Sequence, residues 1–498
     1  MNVNPITRLD YPDPDVIRVE DTYYMVSTTM HFMPGCEILQ SFDLVHWEHV
    51  TYVYETLDHT DAQQLKSGQN IYGQGMWAAS LRYHEGRFYI CFVANDTRKT
   101  YLYTSEKIDG PWKKQLIEGF YHDGSLLFDE DGRNYIVYGN DEIWITELNE
   151  DLTAPKKDGL HRLLVSDHKN PELGYEGSHI QKINGYYYIF LVHSLRDRWM
   201  RTEACFYSDS LEGEFTGGDV LCDDRGYCGQ GVAQGGIVDT PDGKWYAMLF
   251  QDSGAVGRIP ILLPVTWKDH FPVFGQNGHV PEEIEVHSTR PGYIYQPLVG
   301  SDDFCNGLLP RWQFNHDPDP RYYHLDALQG TYTITTREVC TELTQAVNTL
   351  TQRMSYPSCA AEVTVDASAL KEGDIAGLCV LQSCYAAVGI TKHHGKYEVL
   401  MLDKKEDGIL DMTEGTVVES HQMDFRLEAD FCNMKDEARC YYRVNKGDWL
   451  PIGTVHKLYF KLDHFTGCRF GLFCYAAEKT GGSACFRDFK YYDVDEIS

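Results

Sequence analysis

Basic residues are scarce in this 498-residue sequence: 44 Lys and Arg stand against 74 Asp and Glu, a formal charge of −30. A chain this acidic is repelled by phosphate backbones and anionic lipid heads, which sets aside nucleic-acid and membrane-surface roles. No apolar run approaches the roughly 18 residues needed to cross a bilayer as a helix. The opening MNVNPITRLDYPDPD lacks the basic start and apolar run of a secretory leader. The 15 cysteines are odd in number, irregularly spaced and without a CxxC pair. Free, mostly buried thiols in a soluble cytoplasmic protein are therefore expected, rather than a disulfide framework. HExxH, GxGxxG and GxxxxGK followed by Ser or Thr are all absent, so neither zinc-protease chemistry nor a nucleotide cofactor is indicated.

What the chain has in quantity is aromatic residues, 34 Tyr, 22 Phe and 9 Trp, which suit β-strands and sugar-facing surfaces. It also repeats itself. DPDVIRVEDTYYMV from Asp13, WAASLRYHEGRFYI from Trp77, DGSLLFDEDGRNYIV from Asp123, EGSHIQKINGYYYIF from Glu176 and QGGIVDTPDGKWYAML from Gln234 share one layout. Each is a short apolar strand, a polar turn and an aromatic-rich strand, the pattern of a β-hairpin. From leading residue to second turn residue the positions run 13 to 22, 77 to 86, 123 to 132, 176 to 185 and 234 to 243, nine each time. Glycine fills the turn as Gly86, Gly132, Gly185 and Gly243, where a tight hairpin needs a positive φ; Thr22 is the exception. The starts lie 64, 46, 53 and 58 residues apart, near the period of about 40 to 50 residues of four-stranded propeller blades. An all-β chain is expected, with a five-bladed propeller over residues 1–295; unrelated hairpins in a sandwich are the alternative.

In a propeller, residues at one phase of the repeat form a ring where the inner strands meet. That ring is Asp13, Trp77, Asp123, Glu176 and Gln234. Three carboxylates make a poor core and a natural catalytic mouth, because charged side chains are rarely buried unpaired. Glycoside hydrolysis needs a protonated carboxylic acid at the leaving oxygen and an ionised carboxylate across the sugar. Asp13 on blade one and Glu176 on blade four face each other across the axis. This favours the wider separation, roughly 6.5–9.5 Å, that admits a water and inverts the anomeric centre. Asp123 between them is placed to orient Glu176 and raise its pKa by like-charge repulsion.

From about Asp302 the pattern changes to short alternating strands such as TYTITT, AAEVTVDA, YEVLML and RFGLFCYA, which predict an antiparallel β-sandwich over residues 302–498. Ser288–Ser301, with its Pro and Gly, reads as the linker. Few helices are expected anywhere.

YPDPDVIRV, HDGSLLFDEDG and YEGSHIQKINGYYYIF resemble the three signature segments of glycoside hydrolase family 43. MHFMPGCEILQSFDLVHW, GMWAASLRYHEGRFY and GRIPILLPVTWKDHFPVFG are similar to that family in order and spacing. LTQRMSYPSCAAEV followed by GDIAGLCVLQS resembles the concanavalin-like C-terminal sandwich of its β-xylosidase and α-L-arabinofuranosidase branch. The resemblance implies an exo-acting, inverting hydrolase acting on pentose-containing oligosaccharides. It makes Asp13 the general base, Asp123 the residue that orients and tunes the acid, and Glu176 the general acid; Asp15 is a nearby decoy. It further implies that Arg258 contacts the sugar and a carboxylate, and that Phe32 and Trp77 wall the terminal-sugar subsite. No cofactor is required for the chemistry. A structural calcium ion is associated in the family with a histidine near QGG, where this chain has Ala233, and Gln234 is left as its candidate ligand. Met33 replaces an aromatic of related xylosidases, so the choice between furanose and pyranose rings stays open. A propeller glycoside phosphorylase and a non-catalytic sugar-binding propeller are the alternatives; the first would need a basic cluster for phosphate.

Overall fold

A computed structural model describes residues 2–493. Among these there is no α-helix, only strands and four short 3-10 turns. The first unit is five antiparallel four-stranded sheets, each in chain order. Blade 1 comprises Asp15–Val19, Thr22–Val26, Gly35–Ser41 and Glu48–Tyr54. Blade 2 runs from Ser80–His84 to Lys113–Ile117, blade 3 from Ser125–Phe128 to His161–Ser166, blade 4 from Glu176–Ile183 to Thr216–Leu221, and blade 5 from Val232–Asp239 to Phe271–Phe274.

The aromatic-rich second strands are apolar on both faces because each face meets a different neighbour. In Tyr186–Ser194, Tyr187, Ile189 and Leu191 pack towards blade 3, whereas Tyr188 and Phe190 pack towards blade 5. Alternation along a strand thus builds two cores at once. Five such clusters, one between each pair of adjacent blades, close the ring; the last joins Val16, Tyr23 and Met25 of blade 1 to Val238, Tyr246 and Leu262 of blade 5.

The four expected turn glycines have φ of 79–84°. Thr22 differs because it already begins the second strand, and Glu20 takes the left-handed position at φ 56°. The residues leading the repeats are also unusual. Asp13, Asp123 and Gln234 have φ of 54°, 46° and 65°, as does Gly177, beside Glu176, at 65°. Non-glycine residues in this region are uncommon and cluster at functional sites.

The second unit is a sandwich. One sheet includes Ala386–His393, Asp374–Leu381, Arg469–Ala476, Leu350–Arg353 and Gln313–Asn315; the other includes Ser483–Asp493, Ser358–Asp366, Gln422–Asp430 and Glu437–Val444. Leu350, Val363, Leu378, Phe425, Leu472 and Phe486 lie in the core between them. Positions 494–498 of the expected span lie outside the described residues.

The two units share a sheet. Phe32–Met33 leaves blade 1 and pairs with Gln313–Asn315, Met33 opposite Phe314. A buried ion pair, Arg353 Nη1 to Glu37 Oε2 at 2.8 Å, crosses the same seam. Ser288–Ser301 is strapped to blade 1: the Arg290 guanidinium lies 4.1 Å from the Phe42 ring centre and pairs with Asp21, and the Phe42 N–H donates to the Tyr295 hydroxyl.

Candidate active site

The three ring acids meet. Asp13 is 6 % exposed; its Oδ2 accepts from the Thr28 hydroxyl at 2.6 Å and its Oδ1 from Arg258 Nη1 at 3.1 Å. Asp123, also 6 % exposed, accepts the Gly177 N–H on Oδ2 at 3.1 Å, a bond from blade 4 to the entrance of blade 3. Glu176 opens its strand, where the ladder slips between Glu176 and His179; such bulges re-aim side chains. Its Oε2 accepts from Asn140 Nδ2 at 2.7 Å.

His122, which sequence reasoning passed over, sits among them. Its Nε2 is 3.5 Å from Asp123 Oδ2 and 3.6 Å from Glu176 Oε2. Burial would lower the imidazolium, but Asp123, Glu176 and Asp13 outweigh it and raise His122 to about 9. Burial lifts the Asp123 carboxyl to about 6, reinforced by Glu176 and Asp13 and opposed by His122 and the Gly177 N–H.

Trp77 lines the cavity beside Glu176, its ring centre 5.8 Å from His122 and 5.5 Å from Phe465. Its indole Nε1 is buried and makes no hydrogen bond among the described residues. Arg258 holds Asp13 and lies with its guanidinium 4.5 Å from the Phe465 ring centre. Phe32 is 2 % exposed, its ring lies 3.5 Å beneath the Arg469 guanidinium and 4.3 Å from His31, and its strand pairs across the seam. The structure therefore puts Phe32 at the joint between the units. Asp15 is buried on Arg82 (2.8 Å) and His179 (3.1 Å). Burial would raise its carboxyl, yet Arg82 and His179 hold it below the ordinary range.

Gln234 donates its backbone N–H to Glu203 Oε2 at 2.7 Å, and its side chain fills the space a Cβ at Gly177 would need. Burial pushes Glu203 far above the usual carboxylate range. An amide and one such carboxyl fall short of the roughly six to eight oxygens that calcium gathers, so this pair does not fit the ion. Among the described residues, the His/Cys/Asp/Glu group close enough to share a metal is His122, Asp123 and Glu176, with ligand atoms within 4.8 Å of one another.

The cavity, about 590 Å³, is completed by the second unit: Met434, Phe460, Leu462 and Phe465 line it opposite Trp77, His122 and Glu176. Phe465 carried no sequence signal, since only the packing of the two units brings it to the acids.

Comparison with known proteins agrees with this arrangement. The model of glycosyl hydrolases family 43 matches residues 3–272, and that of the beta xylosidase C-terminal concanavalin A-like domain matches residues 301–492. A beta-xylosidase of Formosa agariphila is 26 % identical, aligned over 99 % of this chain and 89 % of its own. A non-reducing end alpha-L-arabinofuranosidase of Bacteroides ovatus is 24 % identical over 82 % of this chain and 79 % of its own. Among solved structures, a bifunctional GH43-CE protein of Bacteroides eggerthii matches 99 % of this chain with a TM-score of 0.93 and 42 % identity. The chain spans 64 % of that protein's length. With a matching model over more than half its length and the acids gathered at the propeller mouth, the chain belongs to glycosyl hydrolase family 43.

Proposed function

We propose that this chain removes terminal α-L-arabinofuranose or β-D-xylose from pentose-containing oligosaccharides, with inversion. The observation that carries the reading is that Asp13 and Glu176, at the entrances of blades 1 and 4, come into one charged cluster with Asp123 and His122, and that Glu176 and His122 line a cavity to which the second unit also contributes. Asp13 is fixed through both oxygens and serves as the base that takes a proton from the attacking water. Glu176, steadied by Asn140, gives its proton to the leaving oxygen, and Asp123 with His122 sets the charge around it. Phe460, Leu462 and Phe465 of the second unit add a wall to the cavity, which suits attack on chain ends. The names of the relatives, a xylosidase and an arabinofuranosidase, support both pentoses.

The test is proton NMR of the first sugar released from 4-nitrophenyl β-D-xyloside and α-L-arabinofuranoside. The α-anomer of xylose and the β-anomer of arabinofuranose are expected before mutarotation; retention in either case overturns the mechanism.

A further inference from the structure

One guanidinium in the cavity wall is only partly used by the protein. Arg201 opens Arg201–Ser208, the third strand of blade 4, and its side chain is 7 % exposed. Its Nε donates to Asp252 Oδ2 at 2.8 Å, while Nη1 and Nη2 make no hydrogen bond among the described residues. Packing fixes where the fork sits: the guanidinium lies 5.3 Å from the Trp199 ring centre and 5.2 Å from that of Phe250, whose other neighbour is the Arg258 guanidinium at 5.4 Å. Asp252 closes Trp245–Asp252, the second strand of blade 5, and pairs in the ladder with Arg258, the residue that holds Asp13. Its Oδ1 likewise makes no hydrogen bond among the described residues. Arg201 and Asp252 both line the cavity with Glu176. The strand pair that places the partner of Asp13 therefore also places a donor fork and an acceptor side by side.

Charge selects what these atoms can hold. An isolated fork suits an anion, but Asp252 already touches this one, and Glu176 and Asp13 lie near enough for their charges to act on it. A further negative group there would meet like charge. A neutral ligand that accepts from Nη and donates to Oδ1 fits both residues, and hydroxyls do each. We infer that Arg201 and Asp252 bind two adjacent hydroxyls of the saccharide in the cavity and so determine which sugars it accepts. The inference rests on the glycosidase reading for the occupant being a saccharide. A sugar lacking one of the pair is disfavoured because it leaves a desolvated charged group without its partner.

The experiment isolates binding from turnover. Methyl β-xylobioside is titrated calorimetrically into the full chain carrying Glu176→Gln, which keeps the ligand intact, alongside analogues in which each free hydroxyl in turn is replaced by hydrogen. Loss of either of two neighbouring hydroxyls is expected to weaken binding about tenfold. For one of them the penalty should shrink to within about twofold in Arg201→Met, which keeps the packing on Phe250 and removes the fork. For its neighbour it should shrink likewise in Asp252→Asn, whose amide oxygen stays on Arg201 Nε and turns an N–H to the ligand. Arg201→Lys, which keeps a cation beside Asp252, replaces Arg201→Met where the latter does not fold. Absence of a penalised adjacent pair, penalties unchanged in the variants, or tighter binding of a xylobioside bearing a uronate overturns the inference. Hydrolysis of the 4-nitrophenyl glycosides by the unaltered chain judges the glycosidase reading, so the two fail separately.

Discussion

Asp13 and Asp15 stand two positions apart on one strand entrance and serve opposite ends. Asp13 is held by Arg258 and Thr28 within reach of His122 and Asp123, whereas Asp15 turns away from them and ties blade 1 to blades 2 and 4 through Arg82 and His179. Asp13→Ala should lower turnover by about 10²–10⁴-fold and also lower the urea midpoint, because it leaves the buried Arg258 guanidinium without its carboxylate. Asp15→Ala should instead cost about 3–5 kcal/mol of stability, because it leaves buried cations uncompensated. Asp123 couples chemistry to stability. Its carboxyl titrates near 6 in the folded chain against an ordinary 3.8, so above pH 6 the fold carries a charge its surroundings oppose, and the cost fades as pH falls through 6. Asp123→Asn tolerates the same left-handed backbone. It should lower turnover and, by taking away the carboxylate that does most to keep His122 charged, should bring the His122 pKa down from about 9, followed by NMR titration of the imidazole. These acids were legible in the sequence because they share one repeat phase. His122, at the neighbouring address, was not: its charge is made by carboxylates that only folding brings within 4 Å.

At the level of the hairpin, the constant nine-residue spacing was readable because a tight turn restricts which residue can sit at its second position. Gly185 has φ 84° and open space around a Cβ, so Gly185→Ala meets backbone strain alone; a loss of about 1 kcal/mol in chemical denaturation is expected. The bulges at Glu176 and at Ala233 left no such mark, since two residues facing one is a property of the partner strand as much as of the bulged one. The pairing of Phe32–Met33 was hidden for a related reason: its partner, Gln313–Asn315, lies almost three hundred residues away by number and belongs to the other unit.

Across the whole molecule, the joint between propeller and sandwich is built like an interior. Arg353 reaches Glu37 at 2.8 Å, donates to the Asp10 carbonyl, and packs 4.1 Å from the Tyr11 ring centre. Burial would raise Glu37, but Arg353 and His49 hold it at about 2. The sign follows from that depression: the pair's contribution is complete above the ordinary value of 4.5 and disappears as pH falls through 2. Arg353→Ala should cost about 3–5 kcal/mol at neutral pH, measured by urea unfolding, and should flatten the acid branch of the stability curve. Phe460–Phe465, the segment of the sandwich that reaches the acids, gives this joint a further meaning. Because one side of the reaction chamber is borrowed from a separate folding unit, new substrate preferences can be sought by grafting that short stretch alone, with the acid-bearing blades left untouched.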